Sequence, residues 1–438
     1  MTANNTCIIM PQWLLTLEDE QLLSDHAVVI KEDRIVDILS AQAAQNKYST
    51  AEHVHLPKQV LMPGLINCHG HTAMNLFKGM ADDLPLMTWL EEHIWPAEGQ
   101  WVSPEFVADG TKIGIAEMLR SGTTCYSDMY FYPEVAADTA AELGMRAICY
   151  GPILDFPTPY GTGPEDYIEK IITAHNHFKH HSLVDIGFGP HAPYTVSDEP
   201  LTNIRTLAEQ LNIPIQIHLH ETEFEVADAQ QKTGMRPSER LSKLGFLGPD
   251  VQAVHVTQVA DTDIQLFKES NTHVIHCPES NLKLASGFCP THKLQQAGIN
   301  VALGTDGSAS NNDLDMLGEM RSAALIAKAV ANDASALPAL EAIKMATING
   351  AKALGKEDQI GSIKVGKQAD LISIDLNEIA SAPVYDPISH IVYTATRQQV
   401  DHVWVAGNLQ VKNKQLCHMN ETQLVELAQQ WADKIQAK

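Results

Sequence analysis

Two histidines one residue apart are the first sign of chemistry in the sequence. His69 and His71 lie in the segment LMPGLINCHGHTAMNLFKG, shortly after an apolar run that ends at Gly64. In a strand, residues i and i+2 point to the same face, with Cα atoms about 7 Å apart. Two imidazoles in that arrangement can share a metal ion, although a His-x-His pair is weak evidence in a chain with 20 histidines.

Further polar side chains end other apolar runs. His191, His218, His255 and Asp306 each follow or close a short β-type run. In a barrel of parallel strands, the residues at the carboxyl ends of the strands face the active site. Each histidine alone could be a structural core residue, but their joint position at strand ends favours a common site.

Imidazoles combined with a carboxylate are typical ligands of Zn²⁺, with bonds of roughly 2.0–2.2 Å. Fe²⁺ and Mn²⁺ accept similar ligands, so the site is better defined than the ion. One water would complete the shell and be acidified by the metal.

The segment HLHETE offers two candidate ligands, His218 and His220. His218 closes the apolar run IPIQI, which favours it as the ligand and leaves His220 as a nearby polar residue. Glu221 begins the next loop and would lie beside the metal as an acid–base group. The alternative for Glu221 is an exposed carboxylate that caps a helix.

The elements that must position these residues alternate between strand and helix. Eight β-type runs are present, at 59–67, 123–128, 146–151, 185–190, 214–218, 251–255, 272–276 and 300–304. Amphipathic helical patterns separate most of them, which indicates parallel strands joined by crossovers. We therefore predict an α/β fold, a (β/α)8 TIM-type barrel. An open doubly wound sheet is the alternative, but no Gly-x-Gly-x-x-Gly loop follows the first strand.

The two ends of the chain have a different pattern. Residues 6–60 and 360–412 are rich in β signals and glycine turns, which predicts one small composite β-sandwich domain built from both termini. Asn420 starts a capping signature for a closing helix. The predicted domains are 1–60 with 360–412, the barrel over 61–359, and a C-terminal helix within 413–438.

Composition excludes several classes of protein. The chain has 438 residues, 44% of them hydrophobic, so it can bury a large core. A formal net charge of -24 repels phosphate backbones, so we expect no nucleic acid partner. The 7 cysteines are scattered, without Cys-x-x-Cys, which argues against disulfides and a zinc knuckle.

The location of the protein is predicted from two further patterns. The start, MTANNTCIIMPQWLL, has no basic residue before its apolar stretch, so we expect a strand there and no signal peptide. No apolar run approaches the roughly 20 residues of a membrane span, so we expect no membrane partner. A cytoplasmic enzyme that forms a homo-oligomer is the expectation.

Five segments together resemble a known family: PGLINCHGHTAMNLFKGMADDLPLMTWLEEHIWPAE, GPHAPYTVSDE, IHLHETEFE, HCPESNLKLASG and LGTDGSASNNDLDM. They are similar to the amidohydrolase superfamily and, more narrowly, to the 5-methylthioadenosine/S-adenosylhomocysteine deaminases. The resemblance extends from the N-terminal β segment to residue 412, with the order and spacing of the motifs kept.

The resemblance implies a site with one metal ion. Relatives with two ions carry a bridging lysine on the fourth strand, and VDIGFGPHAPYTV contains no lysine. The family pattern maps the ligands onto His69, His71, His218 and Asp306. It maps a histidine that polarises the bound water or the intermediate onto His255.

The resemblance also implies substrate contacts and a reaction. Glu221 matches the acid that protonates the purine ring, Glu98 matches a contact to ribose hydroxyls, and His191 a contact near the nucleoside. Asp306 would move a proton from the water to the leaving amine. The segment DFPTPYGTGPEDY has no arginine, unlike some relatives, which leaves the contact to the 5′ end of the substrate open.

The expected reaction is hydrolytic deamination of adenine nucleosides to inosine analogues and ammonia, with 5′-methylthioadenosine, S-adenosylhomocysteine and adenosine as candidate substrates. An apolar lip after His71 could receive a thioether, or could be ordinary helix core; its members are Met74, Leu76, Phe77, Met80, Leu84, Met87 and Trp89. The alternatives are a guanine, pterin or triazine deaminase or chlorohydrolase of the same superfamily, and a non-catalytic scaffold.

Overall fold

The structure is a computed structural model that describes residues 6–18 and 22–437. The first part of the chain contains β1 (Thr6–Leu15), β2 (Leu22–Ser24), β3 (His26–Lys31), β4 (Arg34–Ser40), α1 (Ala41–Lys47) and β5 (Glu52–Pro63). β1 lies where the sequence predicts a strand near the N-terminus, and residues 1–5 of that prediction are outside the described residues.

The central part of the chain alternates strands and helices. Up to the third strand it contains β6 (Leu65–Asn67), a 3-10 helix (Thr72–Phe77), α2 (Leu86–Thr88), a π-helix (Trp89–Ile94), α3 (Trp95–Trp101), α4 (Pro104–Arg120), β7 (Thr123–Met129), α5 (Pro133–Glu142) and β8 (Arg146–Ile153). It continues with α6 (Pro164–Phe178), β9 (Val184–Pro190), α7 (Asp198–Leu211), β10 (Ile215–Leu219), α8 (Glu223–Thr233), α9 (Pro237–Lys243), β11 (Val251–His255), α10 (Asp261–Ser270) and β12 (His273–His276). It ends with α11 (Pro278–Lys283), α12 (Thr291–Gln296), β13 (Val301–Leu303), α13 (Met316–Ala331), α14 (Ala339–Met345) and α15 (Ile348–Ala353).

The last part returns to strands. It contains β14 (Leu371–Asp375), α16 (Pro387–Tyr393), a 3-10 helix (Arg397–Gln399), β15 (Val400–Val405), β16 (Asn408–Lys412), β17 (Gln415–Leu416) and α17 (Glu421–Gln436). The Asn420 side chain accepts hydrogen bonds from the first turn of α17, as its capping signature predicts.

The predicted (β/α)8 barrel is confirmed. Strands β6 to β13 pair in chain order, and every neighbouring pair is parallel. The barrel closes where the Cys68 N–H donates to the Leu303 carbonyl at 2.9 Å. Because all eight strands run the same way, their carboxyl ends meet at one mouth.

The predicted first barrel strand, 59–67, is divided in the structure. The part up to Pro63 belongs to β5, and the barrel strand β6 begins at Leu65. Gly64 separates them and lies against a neighbouring strand, where a Cβ atom would be 2.1 Å from the Thr124 hydroxyl oxygen. Only glycine allows that close approach, so the chain changes sheets there.

The second domain is one mixed sheet of nine strands from both ends of the chain. Its order is β17-β16-β15-β14-β5-β1-β3-β4, with β2 paired to β1. β5 connects the halves, because it is parallel to β1 and antiparallel to β14. The composite β domain predicted from both termini is therefore present. The limits 1–60 with 360–412, 61–359 and 413–438 stay a prediction; residues 1–5, 19–21 and 438 lie outside the described residues.

No helix among the described residues is long and apolar enough to cross a bilayer.

Candidate active site

Three histidine rings and one carboxylate meet at the carboxyl ends of the barrel strands. The Nε2 atoms of His69 and His218 are 3.2 Å apart. The Asp306 Oδ1 atom is 3.4 Å from the Nε2 of His69 and 3.2 Å from the Nε2 of His71. Ligands at roughly 2.0–2.1 Å from a tetrahedral ion lie roughly 3.3 Å from one another, so these separations fit a metal ion such as Zn²⁺.

In each of the three rings, a hydrogen bond at Nδ1 leaves Nε2 as the nitrogen that faces the site. The Nδ1 of His69 bonds to the Gln216 side-chain oxygen at 2.7 Å. The Nδ1 of His71 bonds to the Met129 carbonyl at 2.6 Å, and that of His218 to the His191 carbonyl at 2.7 Å. Because all three partners are acceptors, Nδ1 carries the proton and the Nε2 lone pairs point at one another. A bound cation would accept these lone pairs.

Asp306 is held by its own hydrogen bonds. Its Oδ2 accepts from the hydroxyls of Ser280 at 2.6 Å and Ser310 at 3.0 Å, and its Oδ1 accepts from the Gly307 N–H at 2.8 Å. Burial raises the pKa of the Asp306 carboxyl, but His69 and His71 outweigh burial and hold the pKa well below its usual range. The carboxylate therefore stays ionised and oriented.

Two of the residues have a left-handed backbone. The φ angle is +62° at Asp306 and +75° at His255. Such conformations are uncommon without glycine and concentrate at functional sites, where the surrounding structure holds them.

His255 lies beside the cluster. Its ring centre is 5.5 Å from that of His218, and its Nδ1 bonds to the Asn281 side-chain oxygen at 2.8 Å. The donor atoms of His69, His218 and His255 form one possible metal set, all within 4.8 Å, and those of His69, His71 and Asp306 form another.

His220 does not face the cluster. Its Nδ1 bonds to the Gln258 carbonyl at 2.9 Å, and its Nε2 accepts from the Ser238 N–H at 3.1 Å. Both ring nitrogens are thus occupied, and His218 is the residue of this pair that lies at the site.

Glu221 lies across the cluster and is buried. Its Oε2 is 3.8 Å from the His255 Nε2, and the Ser286 hydroxyl is 3.5 Å from its Oε1. Burial, with a contribution from the Asp306 charge, raises the pKa of Glu221 to about 8. The alternative of an exposed helix cap is wrong, since Thr222 caps α8. Glu225 secures the turn, because it accepts from the backbone N–H of Glu221 at 2.8 Å.

His71, His218, His255, Glu221 and Asp306 line a cavity of about 280 Å³, and His69 lies buried behind them. Glu98 and His191 also line it. Burial raises the pKa of Glu98 to about 7. Burial and the neighbouring histidines lower the pKa of His191 to about 4, so its ring is neutral at pH 7.

The family model described as the amidohydrolase family matches residues 60–409. The chain belongs to the amidohydrolase family. This match covers the barrel strands β6 to β13 and the strands β14 and β15 that follow them in the chain.

Two similar relatives agree along nearly the whole chain. A 5-methylthioadenosine/S-adenosylhomocysteine deaminase from Saccharophagus degradans is 52% identical over 98% of this chain and 97% of its own. A 5′-deoxyadenosine deaminase from Methanopyrus kandleri is 39% identical over 96% of this chain and 97% of its own.

A solved structure extends the similarity to the backbone. It is an adenosine deaminase from Xanthomonas campestris with bound zinc, 46% identical, with a TM-score of 0.97 over 99% of each chain. These similarities confirm the predicted membership in the 5-methylthioadenosine/S-adenosylhomocysteine deaminase group of the amidohydrolases.

The structure of this amidohydrolase brings in residues that the sequence analysis missed. Gln216 and Asn281 orient His69 and His255, and Ser280 and Ser310 orient Asp306. Gln216 has a sequence signal, because it lies two residues before His218 on the same face of an otherwise apolar strand.

The predicted apolar lip lines the cavity only through Met74 and Trp89. Phe77 is core, packed on Phe106 with ring centres 4.8 Å apart. Most of the remaining apolar lining comes from Leu86–Trp95 and 154–159, and Met129, Phe131, Pro152 and Leu284 complete it.

Proposed function

We propose that this chain catalyses the hydrolytic deamination of adenine nucleosides to inosine analogues and ammonia. The observation that carries the proposal is the convergence of the Nε2 atoms of His69, His71 and His218 with the Asp306 carboxylate, beside a cavity that the buried Glu221 also lines. A cation site and a buried carboxyl on one cavity can activate water and protonate a ring nitrogen together. The names of the relatives supply the adenine nucleoside as substrate class.

We assign one divalent ion per chain to His69, His71, His218 and Asp306, with Zn²⁺ as the first candidate and Fe²⁺ or Mn²⁺ as alternatives. The separations of 3.2–3.4 Å between donor atoms support this set. An ion bound there would polarise a water molecule and lower its pKa. Elemental analysis of protein purified without added metal should give about one equivalent, and two tightly held equivalents would reject the assignment.

Each of the remaining polar groups transfers a proton or stabilises a charge in the proposed reaction. Glu221 donates a proton to N1 of the purine, which makes C6 electrophilic. Asp306 carries a proton from the attacking water to the leaving amine. His255, with its Nδ1 proton held by the Asn281 oxygen, accepts a hydrogen bond from the attacking water at Nε2 and, once it has taken up that proton, stabilises the negative charge that develops on the oxygen at C6.

Two residues of the cavity would hold the nucleoside. Glu98 accepts hydrogen bonds from the ribose hydroxyls. His191, neutral and fixed by the Thr195 hydroxyl at 2.9 Å, lies near the nucleoside. Homo-oligomer formation and a cytoplasmic location remain our predictions.

A substrate panel tests the reaction. Adenosine, 5′-methylthioadenosine, S-adenosylhomocysteine, guanine, a pterin and a triazine are each incubated with metal-loaded enzyme, and ammonia and ultraviolet absorbance are followed. Turnover of the adenine nucleosides is expected. Turnover of only the guanine, pterin or triazine would replace the proposal by the alternative reaction, and no turnover at all would favour a scaffold.

A further inference from the structure

A chain of buried polar side chains leads from His69 into the interior of the barrel. The His69 Nδ1 bonds to the Gln216 side-chain oxygen at 2.7 Å, and the Gln216 amide nitrogen donates to the Gln252 side-chain oxygen at 2.8 Å. The Tyr150 hydroxyl donates to the same Gln252 oxygen at 2.9 Å. Gln216, Gln252 and Tyr150 are fully buried, so these hydrogen bonds are shielded from water.

The surroundings of this chain of hydrogen bonds are apolar. Tyr150 belongs to a cluster of buried side chains inside the barrel that includes Ile66, Val254, Ile275 and Ala302. A polar group in such surroundings costs free energy unless it is hydrogen-bonded. Apolar side chains of similar shape would fill the same space at little or no cost in stability. Stability alone therefore does not account for two glutamines and a tyrosine hydroxyl at this place.

The three side chains come from strands that the barrel brings together. Gln216 in β10 and Gln252 in β11 are direct partners in the parallel register. Tyr150 in β8 is the partner of Gly187 in β9, and a Cβ atom at Gly187 would lie 2.3 Å from a carbon of the Tyr150 ring. The absence of a side chain at this position of β9 leaves room for the ring to reach Gln252.

Two backbone carbonyls fix the direction of the hydrogen bonds. The Gln252 amide nitrogen donates to the Ala353 carbonyl at 2.9 Å, and the Gln216 amide nitrogen donates to the Cys68 carbonyl at 2.8 Å. A carbonyl can only accept, so each amide must turn its NH2 group toward its carbonyl. The Gln216 oxygen then faces His69, which must donate from Nδ1 and keeps the lone pair on Nε2.

We infer that Gln252 and Tyr150 are positioning residues for the proposed metal site, and that they act through Gln216 to hold the His69 ring with its Nε2 lone pair available to the ion. The inference rests on the metal site of the proposed function and extends it to two residues behind Gln216. Partners that fix the tautomer and orientation of a metal ligand typically change metal affinity 10–100-fold when they are lost. Because Gln252 reaches His69 through Gln216, its effect should depend on Gln216.

A double-mutant cycle tests this path. Methionine is similar to glutamine in length and has no amide, so Gln216→Met and Gln252→Met remove the hydrogen bonds and keep the core filled. The Kd for Zn²⁺ is measured on metal-free protein by competition with a chelating dye. We expect Gln216→Met to raise this Kd by about 10–100-fold and Gln252→Met to raise it by about tenfold. In the Gln216→Met background, Gln252→Met should add less than about twofold.

Tyr150→Phe removes only the hydroxyl and gives a second test if the Gln252 variants do not fold. We expect it to raise the Kd for Zn²⁺ by about threefold, a smaller effect because Gln252 keeps its bonds to Gln216 and Ala353. Tyr126→Phe is the matched control, since the Tyr126 hydroxyl is buried in the neighbouring strand β7 and has no hydrogen-bond partner among the described residues. The control should leave the Kd unchanged.

Cobalt supplies a readout that a general loss of stability would not move. The visible absorption bands of bound Co²⁺ depend on the geometry of its ligands. We expect these bands to shift in Gln252→Met relative to the wild type. Adding Gln252→Met to Gln216→Met should cause no further shift.

Three results would contradict these expectations. An equal loss of Zn²⁺ affinity from Gln252→Met in both backgrounds would mean that Gln252 supports the barrel in general, and it would overturn the inference. An unchanged Kd in both Gln252→Met and Tyr150→Phe would also overturn it. A wild-type protein that binds neither Zn²⁺ nor Co²⁺ would instead overturn the proposed metal site itself.

Discussion

The two carboxyl groups at the centre of the cavity have opposite environments. Asp306 accepts from Ser280, Ser310 and Gly307, and its pKa is held well below the usual range by His69 and His71, which outweigh burial. Glu221 is buried with one long contact to Ser286, at 3.5 Å, and burial raises its pKa to about 8. Two neighbouring carboxyls whose pKa values are shifted in opposite directions are suited to opposite proton-transfer roles.

The role of Glu221 is tested by Glu221→Gln, which keeps the shape of the side chain but cannot deliver a proton. We expect kcat to fall by about 10²–10⁴-fold, because general acid catalysis typically contributes that much. The metal content, measured by elemental analysis, should stay unchanged. Activity within about threefold of the wild type would remove Glu221 from the proton transfer.

The role of Glu98 is tested by comparing two substrates. At pH 8, above the pKa of about 7 to which burial raises the Glu98 carboxyl, Glu98→Ala should lower kcat/KM for 5′-methylthioadenosine by about 10–10³-fold, since each charge-assisted hydrogen bond contributes about 1.5–3 kcal/mol. A 2′,3′-dideoxy analogue lacks the partner hydroxyls and should lose much less. Equal losses on both substrates would show that Glu98 does not bind the ribose.

At the level of elements, the turn after His71 is held by the helix behind it. α4 packs on the 3-10 helix Thr72–Phe77 through two glycines. A Cβ atom at Gly110 would lie 2.4 Å from the Ala73 carbonyl oxygen, and one at Gly114 would lie 2.4 Å from the Thr72 methyl carbon. The backbone that follows His71 is thus placed by a contact that only glycine allows.

Gly110→Ala should therefore displace this turn. We expect the free energy of unfolding, from urea curves, to fall by about 1–3 kcal/mol, as for other overpacked cores. We also expect weaker metal retention on dialysis, because His71 directly precedes the displaced segment.

Gly318→Ala in α13 is the control, since its nearest contact would be an ordinary 3.4 Å from a Glu279 carboxyl oxygen. This variant should be neutral or more stable by about 0.4–1 kcal/mol. Equal stability of the two variants would argue against the packing constraint at Gly110.

At the level of the whole molecule, a buried ion pair joins the barrel to the mixed sheet. Arg146, at the start of β8, bonds to Asp370 through two contacts, at 2.8 and 3.0 Å. Their side chains are 1% and 2% exposed. Asp370 also accepts from the Ala406 N–H at 2.7 Å, and its carbonyl accepts from the Gly64 N–H where the chain changes sheets.

Arg146→Met should destabilise the protein by about 3–5 kcal/mol, because it leaves the Asp370 charge buried without its partner. Adding Asp370→Asn to the Arg146→Met variant removes that charge, and the amide oxygen of the new side chain still accepts from the Ala406 N–H. The double variant should therefore be more stable than Arg146→Met alone. Urea unfolding of the four proteins of this cycle measures the coupling. A double variant no more stable than Arg146→Met would mean that the unpaired charge is not the cause.

The sequence alone was sufficient for seven of the eight barrel strands, part of the first, the helix after Asn420 and the polar residues that end the strands. These features are local, because neighbouring residues determine strand and helix periodicity and helix capping. The motifs around His69, His218 and Asp306 also predicted membership in the amidohydrolase family, which the comparisons confirmed.

Only the tertiary structure decided what lies around those residues. Gln216 holds His69 across 147 positions of the sequence, and no local pattern specifies such a contact. The break at Gly64 depends on Thr124 in another strand. Much of the apolar lining of the cavity comes from the short helices at 86–95 and from the loop at 154–159. No local hydrophobic periodicity assigns either segment to the cavity, because only the packing of the whole chain brings them to the mouth of the barrel.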